Sequence, residues 1–144
     1  MSLTRFKEKL ASARKTAGNT GNATAKVVNG WLDDFNTAVT LLSSFGFRVK
    51  KFKVGSGVTP QIATSIVGSL ERVKKDEIKT LIEKTKNRKI VTAILKAVIT
   101  AKNIQEHVDV LPTLDVRIDI VLGWPPDISI DFLTDEESRL RQAA

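Results

Sequence analysis

Acidic side chains alternate along two consecutive segments between residues 115 and 131, and carboxylates in such a pattern can bind cations. The polar face of these segments carries Asp115, Arg117, Asp119, Asp127, Ser129 and Asp131. If Ile120 opposes Ile130, Asp119 lies directly opposite Asp131, and the repulsion costs up to about 1 kcal/mol. A divalent cation such as Ca²⁺ or Mg²⁺ would relieve it, as would Arg117 on the diagonal. Because no EF-hand-like loop is present, we favour internal pairing over a metal site at Asp119 and Asp131.

A second candidate site is a basic segment in which cations alternate with aromatic rings. It contains Phe47, Arg48, Lys50, Lys51, Phe52 and Lys53. Such a segment could bind phosphates while a ring stacks on a base, or it could bind anionic lipid headgroups. In the alternative interpretation, both rings enter the core and the lysines protect an exposed strand edge from aggregation.

A third candidate is the basic run around Asn87, which consists of Lys84, Lys86, Arg88 and Lys89. It precedes an apolar helix, and the amino-terminal end of a helix favours anions. If the fold brings this run beside residues 48–53, the two would form one anion-binding patch. A solvated turn between helices is the favoured alternative.

Two further segments could contact partners. Residues 1–17 predict a basic amphipathic helix with Phe6 and Leu10 on its apolar side, a pattern typical of interfacial membrane anchors. The alternative is that this helix packs back on the domain. Trp124 occupies a predicted turn before two prolines, where an aromatic residue often contacts a partner but could equally cover its own hairpin.

Residues for catalysis are sparse. The chain has no cysteine and a single histidine, His107, which ends a predicted helix. No phosphate-binding loop, nucleophile elbow or zinc-protease pattern is present. We therefore expect a protein that is not an enzyme and needs no cofactor.

Basic residues are in excess in the first two thirds of the chain and acidic residues in the last third. Residues 1–60 carry ten Lys and Arg against three Asp and Glu, residues 61–105 carry ten against four, and residues 106–144 carry three against nine. A basic body joined to an acidic end can bind an anionic partner or a second copy of itself.

Hydrophobic periodicity predicts the element order α-α-β-β-α-α-β-β. Helical spacing of apolar residues ends near Gly46, alternation follows at 47–54 with a bulge at Lys50 and Lys51, and alternation returns at 61–70. The fold class is therefore α+β, with helices on one face of a four-stranded, mostly antiparallel sheet built from two hairpins. We divide the chain into an N-terminal helix (1–17), a linker (18–24), a single domain (25–133) and a charged tail (134–144).

These patterns favour a non-catalytic binding or adaptor module whose basic surface contacts an anionic partner. A membrane surface is preferred to nucleic acid because of the basic amphipathic amino terminus. One alternative is a self-associating structural protein, in which the acidic end of one copy meets the basic body of the next. Another is a carrier of an apolar ligand between helices and sheet, where small residues on the 61–70 strand could leave a cavity. Since no apolar stretch approaches the roughly 18 residues of a spanning helix and no secretory signal is evident, we expect a cytoplasmic protein.

Overall fold

The computed structural model of the chain describes Glu8 and residues 22–55, 61–108, 115–123 and 127–133. Its helices are α1 (Asn22–Ser43), α2 (Lys75–Lys84) and α3 (Lys89–His107), and a short 3₁₀ turn spans Leu70–Arg72. Its strands are β1 (Arg48–Gly55), β2 (Gln61–Ser69), β3 (Asp115–Leu122) and β4 (Asp127–Phe132). Apart from Glu8, the predicted N-terminal helix and the predicted tail lie outside the described residues.

The four strands form one antiparallel sheet in the order β1-β2-β3-β4. Side chains alternate between its two faces, and one face packs against the helices through the hydrophobic core. This arrangement confirms the predicted α+β class and, over residues 22–133, the predicted order of helices and strands. The helix α1 begins at Asn22, so residues 22–24, which we assigned to the linker, are helical.

The junction between α1 and β1 is a glycine-terminated helix end, as the sequence indicated. Gly46 has φ = 86°, a left-handed conformation that glycine adopts without strain. The amide of Gly46 donates to the carbonyl of Ser43, and that of Phe47 donates to the carbonyl of Leu42. These two bonds form a Schellman motif, which satisfies the last helix carbonyls and turns the chain directly into β1.

The strand β1 carries the bulge that its broken alternation predicted. Val49 pairs with Ile66 and Lys51 pairs with Ser65, so Lys50 is the additional residue between two consecutive partners. A bulge bends and twists its strand and leaves one residue outside the ladder. Here that residue is an exposed lysine at the edge of the sheet.

Candidate functional site: the open face of the sheet

One face of the sheet points away from the three described helices, and we call it the open face. Its exposed side chains lie on the outer strands β1 and β4, whereas Val67 and Ser65 at its centre are 3% and 7% exposed. Cross-strand partners arrange its side chains in three rows from β1 to β4. The rows are Arg48–Val67–Arg117–Asp131, Lys51–Ser65–Asp119–Ser129 and Lys53–Ala63–Val121–Asp127. Each row begins with a cation on β1, continues through an uncharged residue on β2, and ends on β4 with an aspartate or a serine.

The open face is therefore electrically polarised across the strands. Its cationic edge and its acidic edge are three strand spacings apart, about 14 Å. The charge separation that the sequence shows along the chain thus becomes a separation between two edges of one sheet. Such a face presents opposite charges in different directions, so each edge can attract a different partner.

Lys50, Lys51 and Lys53 form what we call the basic edge. All three side chains are exposed, and the β2 neighbours of the last two, Ser65 and Ala63, are uncharged. Within the described residues, no carboxylate lies within ion-pair distance of these lysines. These three ammonium groups therefore have no counter-charge in the described part of the chain, and the same is true of Lys84, Lys86 and Lys89 in the second basic run.

The fourth cation of the basic segment has a different environment. Arg48 is half-buried, with its Nε atom inside the protein, and it already takes part in an interaction. It lies across the strands from Val67. We therefore leave Arg48 out of the basic edge, although the sequence pattern grouped it with the three lysines.

Arg117 pairs with two of the carboxylates on the acidic side of the open face. Its Nε atom donates to Asp119 Oδ2 at 3.1 Å, and its Nη2 atom donates to Asp131 Oδ2 at 2.7 Å. The hydrogen bond to Asp131 is the main cause that raises the pKa of Arg117, and burial acts against it. One guanidinium thus holds together the two carboxylates that the sequence offered as metal ligands.

The register of the β3–β4 hairpin differs from the predicted one by two residues. Ile118 pairs with Ile130, so Arg117 rather than Asp119 lies opposite Asp131. The prediction that Asp119 opposes Asp131 was wrong because a two-residue slip leaves every side chain on its original face. Periodicity alone could not choose between the two registers, and the observed one sets opposite charges against each other.

Asp119 has a second partner across the other neighbouring strand. Ser65 Oγ donates to Asp119 Oδ1 at 2.5 Å. Burial acts to raise the pKa of Asp119, but the hydrogen bond from Ser65 and the charge of Arg117 outweigh it, so this pKa lies below its ordinary value. Sequence analysis missed the Ser65–Asp119 pair because it depends on the pairing of β2 with β3, which no local pattern reveals.

The second basic run does not join the basic edge. Lys84, Lys86, Arg88 and Lys89 lie at the turn between α2 and α3, in the helix layer, whereas Lys51 and Lys53 project from the opposite face of the sheet. Arg88 is committed to a structural contact, since its Nε atom lies 2.9 Å from Asp34 Oδ1 on α1. The two runs are therefore separate cationic regions rather than one patch.

The aromatic residues of the basic segment belong to the core. Phe47 and Phe52 are 3% and 8% exposed, and the ring of Phe52 stacks on that of Phe35 with centroids 5.8 Å apart. Phe47 fills the space above Gly68, where an added Cβ would lie 2.7 Å from the ring. Neither ring is available to stack on a nucleic-acid base, which agrees with the alternative interpretation of this segment.

The small residues that suggested a ligand cavity are not directed toward the helices. Ala63, Ser65 and Ser69 belong to the open face, opposite Val121, Asp119 and Asp115. On the other face, Phe47 occupies the space beside Gly68. The small residues of β2 therefore do not support the function of an apolar carrier.

Among the described residues, the remaining candidates do not form a group that could act as a catalytic or metal site. His107 is exposed at the end of α3, where its Nδ1 atom lies 2.7 Å from the carbonyl of Asn103. In the part of the chain that the structure describes, no three His, Cys, Asp or Glu side chains are grouped as a metal site requires. Phe6, Leu10 and Trp124 lie outside the described residues.

Comparison with known proteins gives no relatives: no family model, no curated protein and no solved structure matches the chain. Among the described helices, none is both long enough and apolar enough to cross a membrane. Any function proposed for the chain therefore depends on the geometry of the open face.

Proposed function

We propose that the chain is a non-catalytic binding module that uses its basic edge to contact an anionic surface. One observation carries the proposal: Lys50, Lys51 and Lys53 stand together, exposed, with no carboxylate within ion-pair distance in the described part of the chain. An ammonium group that a protein has not neutralised attracts phosphates and carboxylates over a Debye length, about 10 Å at 0.1 M salt.

Among anionic surfaces we place a membrane ahead of nucleic acid. Binding of single-stranded nucleic acid combines phosphate contacts with base stacking on aromatic side chains, and the two nearby rings, Phe47 and Phe52, are buried. A lipid surface requires only charge, and each lysine close to it contributes about 1 kcal/mol. The sequence of residues 1–17 supports the same preference, since a basic amphipathic helix is typical of membrane anchors.

Co-sedimentation with phosphatidylcholine vesicles, with and without phosphatidylserine, tests this proposal. The triple change Lys50→Glu, Lys51→Glu, Lys53→Glu should weaken binding to the anionic vesicles by a factor of about 100 or more, because about 3 kcal/mol of attraction is lost. Vesicles without phosphatidylserine should bind neither protein.

The second basic run offers a matched control. Lys84→Glu, Lys86→Glu, Lys89→Glu changes the same number of exposed lysines, and the net charge falls equally. We expect this variant to keep most of the vesicle binding. A larger loss in the control than in the basic-edge variant would contradict the proposed site, and tighter binding to a single-stranded oligonucleotide than to vesicles would put nucleic acid first.

A further inference from the structure

The two outer strands of the sheet are complementary in charge. β1 carries the basic edge, and the open face of β4 carries Asp127, Ser129 and Asp131. In the described part of the chain, no strand pairs with the outer edge of either. Asp127 has no ion pair among the described residues, whereas Asp131 shares Arg117. The lysines of the basic edge thus lack a negatively charged neighbour, and Asp127 on β4 lacks a positively charged one, among the described residues.

Strand directions make these edges compatible. Each neighbouring pair in the sheet is antiparallel, so β1 and β4 run in opposite directions. A second copy placed beside the first in the same orientation would therefore bring its β1 antiparallel to β4 of the first. The same placement keeps both helix layers on one side and sets the lysines and aspartates on one continuous open face.

We propose that a second copy of this chain binds the basic edge through its acidic β4 strand, so that the sheet continues from copy to copy. The proposal rests on one part of the proposed function, the use of the basic edge as a binding surface, and names a different partner for that surface. Pairing β1 with β1 would oppose lysine to lysine, and pairing β4 with β4 would oppose aspartate to aspartate. Charge therefore selects the heterologous contact, which forms rings or open arrays rather than a closed dimer.

Apolar side chains at both edges support this contact. Val54 on β1 and Ile128, Ile130 and Phe132 on β4 face the core but remain half-buried. A neighbouring strand would cover them further. The lysines and the bulge of β1 resemble the devices that prevent edge-to-edge aggregation. Lysines exclude neutral and cationic edges, however, while they attract an acidic one, so they select the partner strand.

Light-scattering chromatography at about 10 mM and about 500 mM salt tests the proposal, since the Debye length falls from about 30 Å to below 10 Å between them. The wild-type chain should form species larger than a dimer at low salt, growing with protein concentration, and should elute as a monomer at high salt. A monomer under both conditions at every concentration would overturn the inference, and so would a salt-insensitive dimer.

Charge exchange between the edges provides a stricter test. Lys51→Glu with Lys53→Glu and, separately, Asp127→Lys with Ser129→Lys should each give a monomer at low salt. The second pair leaves the contacts of Arg117 with Asp119 and Asp131 in place. Mixing the two variants, or combining all four changes in one chain, should restore assembly because each reversed edge then meets its complement. Assembly that survives in either single-edge variant, or that the mixture does not restore, would contradict edge pairing.

The same variants separate the inference from the proposed function. The β4 variant keeps its basic edge, so it should still bind phosphatidylserine vesicles although it no longer assembles. Vesicle binding without any self-association of the wild-type chain would leave the proposed function standing and remove this partner. Self-association without vesicle binding would support the second copy as the partner and contradict the proposed membrane contact.

Discussion

The two faces of the sheet use the same strands for different purposes. Along β2, Ile66 faces the helices and is 1% exposed, whereas its neighbour Ser65 lies on the open face and binds a carboxylate. The helix-facing side holds the fold together by packing, and its buried residues are apolar except for Thr64, whose hydroxyl donates to the carbonyl of Lys51. The open face is organised by charge, from lysines on β1 to aspartates on β4. If the proposed function is right, stability and binding depend on opposite faces of the sheet, and substitutions on each face should have separable effects.

The largest effect should come from truncating a core side chain. Ile66→Ala removes a fully buried side chain that lies between Val49 and Ile118. We expect the free energy of unfolding to fall by about 2–5 kcal/mol, through lost burial and the remaining cavity. Urea unfolding measures this loss. A loss below about 1 kcal/mol would mean that the helix-facing side is not the packed side of the sheet.

A smaller loss should follow when the close packing at Gly68 is disturbed. A Cβ at this position would lie 2.7 Å from the ring of Phe47, so Gly68→Ala should cost about 1–3 kcal/mol. Gly30→Ala on α1 is the matched control, because nothing lies within 4 Å of its added Cβ. That change should stabilise the helix by about 0.5–1 kcal/mol. Equal thermal shifts for both variants would contradict the packing described for Phe47.

Breaking the charge network of the open face should cost less than either core change. Arg117→Met removes the guanidinium shared by Asp119 and Asp131, but the Arg117 side chain is 39% exposed. We expect a loss of up to about 1 kcal/mol in the free energy of unfolding, decreasing as salt rises. A double-mutant cycle with Asp131→Asn isolates the pair, and a coupling energy of zero at low salt would argue against the observed register.

The pH dependence of stability gives a smaller and more specific signal. Because the folded state lowers the pKa of Asp119, its ionised form contributes stability that is complete above the ordinary Asp pKa of about 3.9. This contribution disappears as pH falls through the lower, folded-state pKa. Asp119→Asn should therefore be less stable than the wild type at neutral pH, and the difference should vanish in strong acid. A difference that grows with acidity would contradict the direction of the shift.

The smallest effect on stability should come from the basic edge itself. Lys51→Glu with Lys53→Glu alters exposed side chains beside uncharged neighbours. We expect the free energy of unfolding to change by less than about 0.5 kcal/mol. If urea unfolding shows such a small change, loss of binding in this variant reflects the surface and not the fold. A loss comparable to that of Ile66→Ala would contradict the claim that the open-face lysines contribute little to stability.

Local patterns were sufficient to predict most of the fold. Alternation of apolar residues located all four strands, the broken phase at Lys50 indicated the bulge, and Gly46 marked the end of α1. Each of these features depends on residues close together in the chain. The α+β class followed from the order of these elements.

The arrangement of the open face depends on contacts between distant residues, which periodicity does not contain. The β3–β4 register was mispredicted because both registers keep the apolar face intact, and only the pairing of Arg117 with Asp131 distinguishes them. Similarly, the two basic runs could be recognised from composition, but their placement on different layers follows from how the helices cover the sheet. The lysines of the basic edge could be recognised from the sequence, and their role in binding stays a prediction, whereas the ion pair of Arg88 with Asp34 could not be anticipated.

Backbone amide NMR during titration with soluble dihexanoyl phosphatidylserine locates the binding surface, because it compares both basic runs in one unmodified protein. We expect the largest chemical-shift changes at residues 50–53 and at their β2 neighbours around Ser65, and little change at residues 84–89. Changes centred on residues 84–89, or no changes at either run, would contradict the assignment of the basic edge as the binding surface.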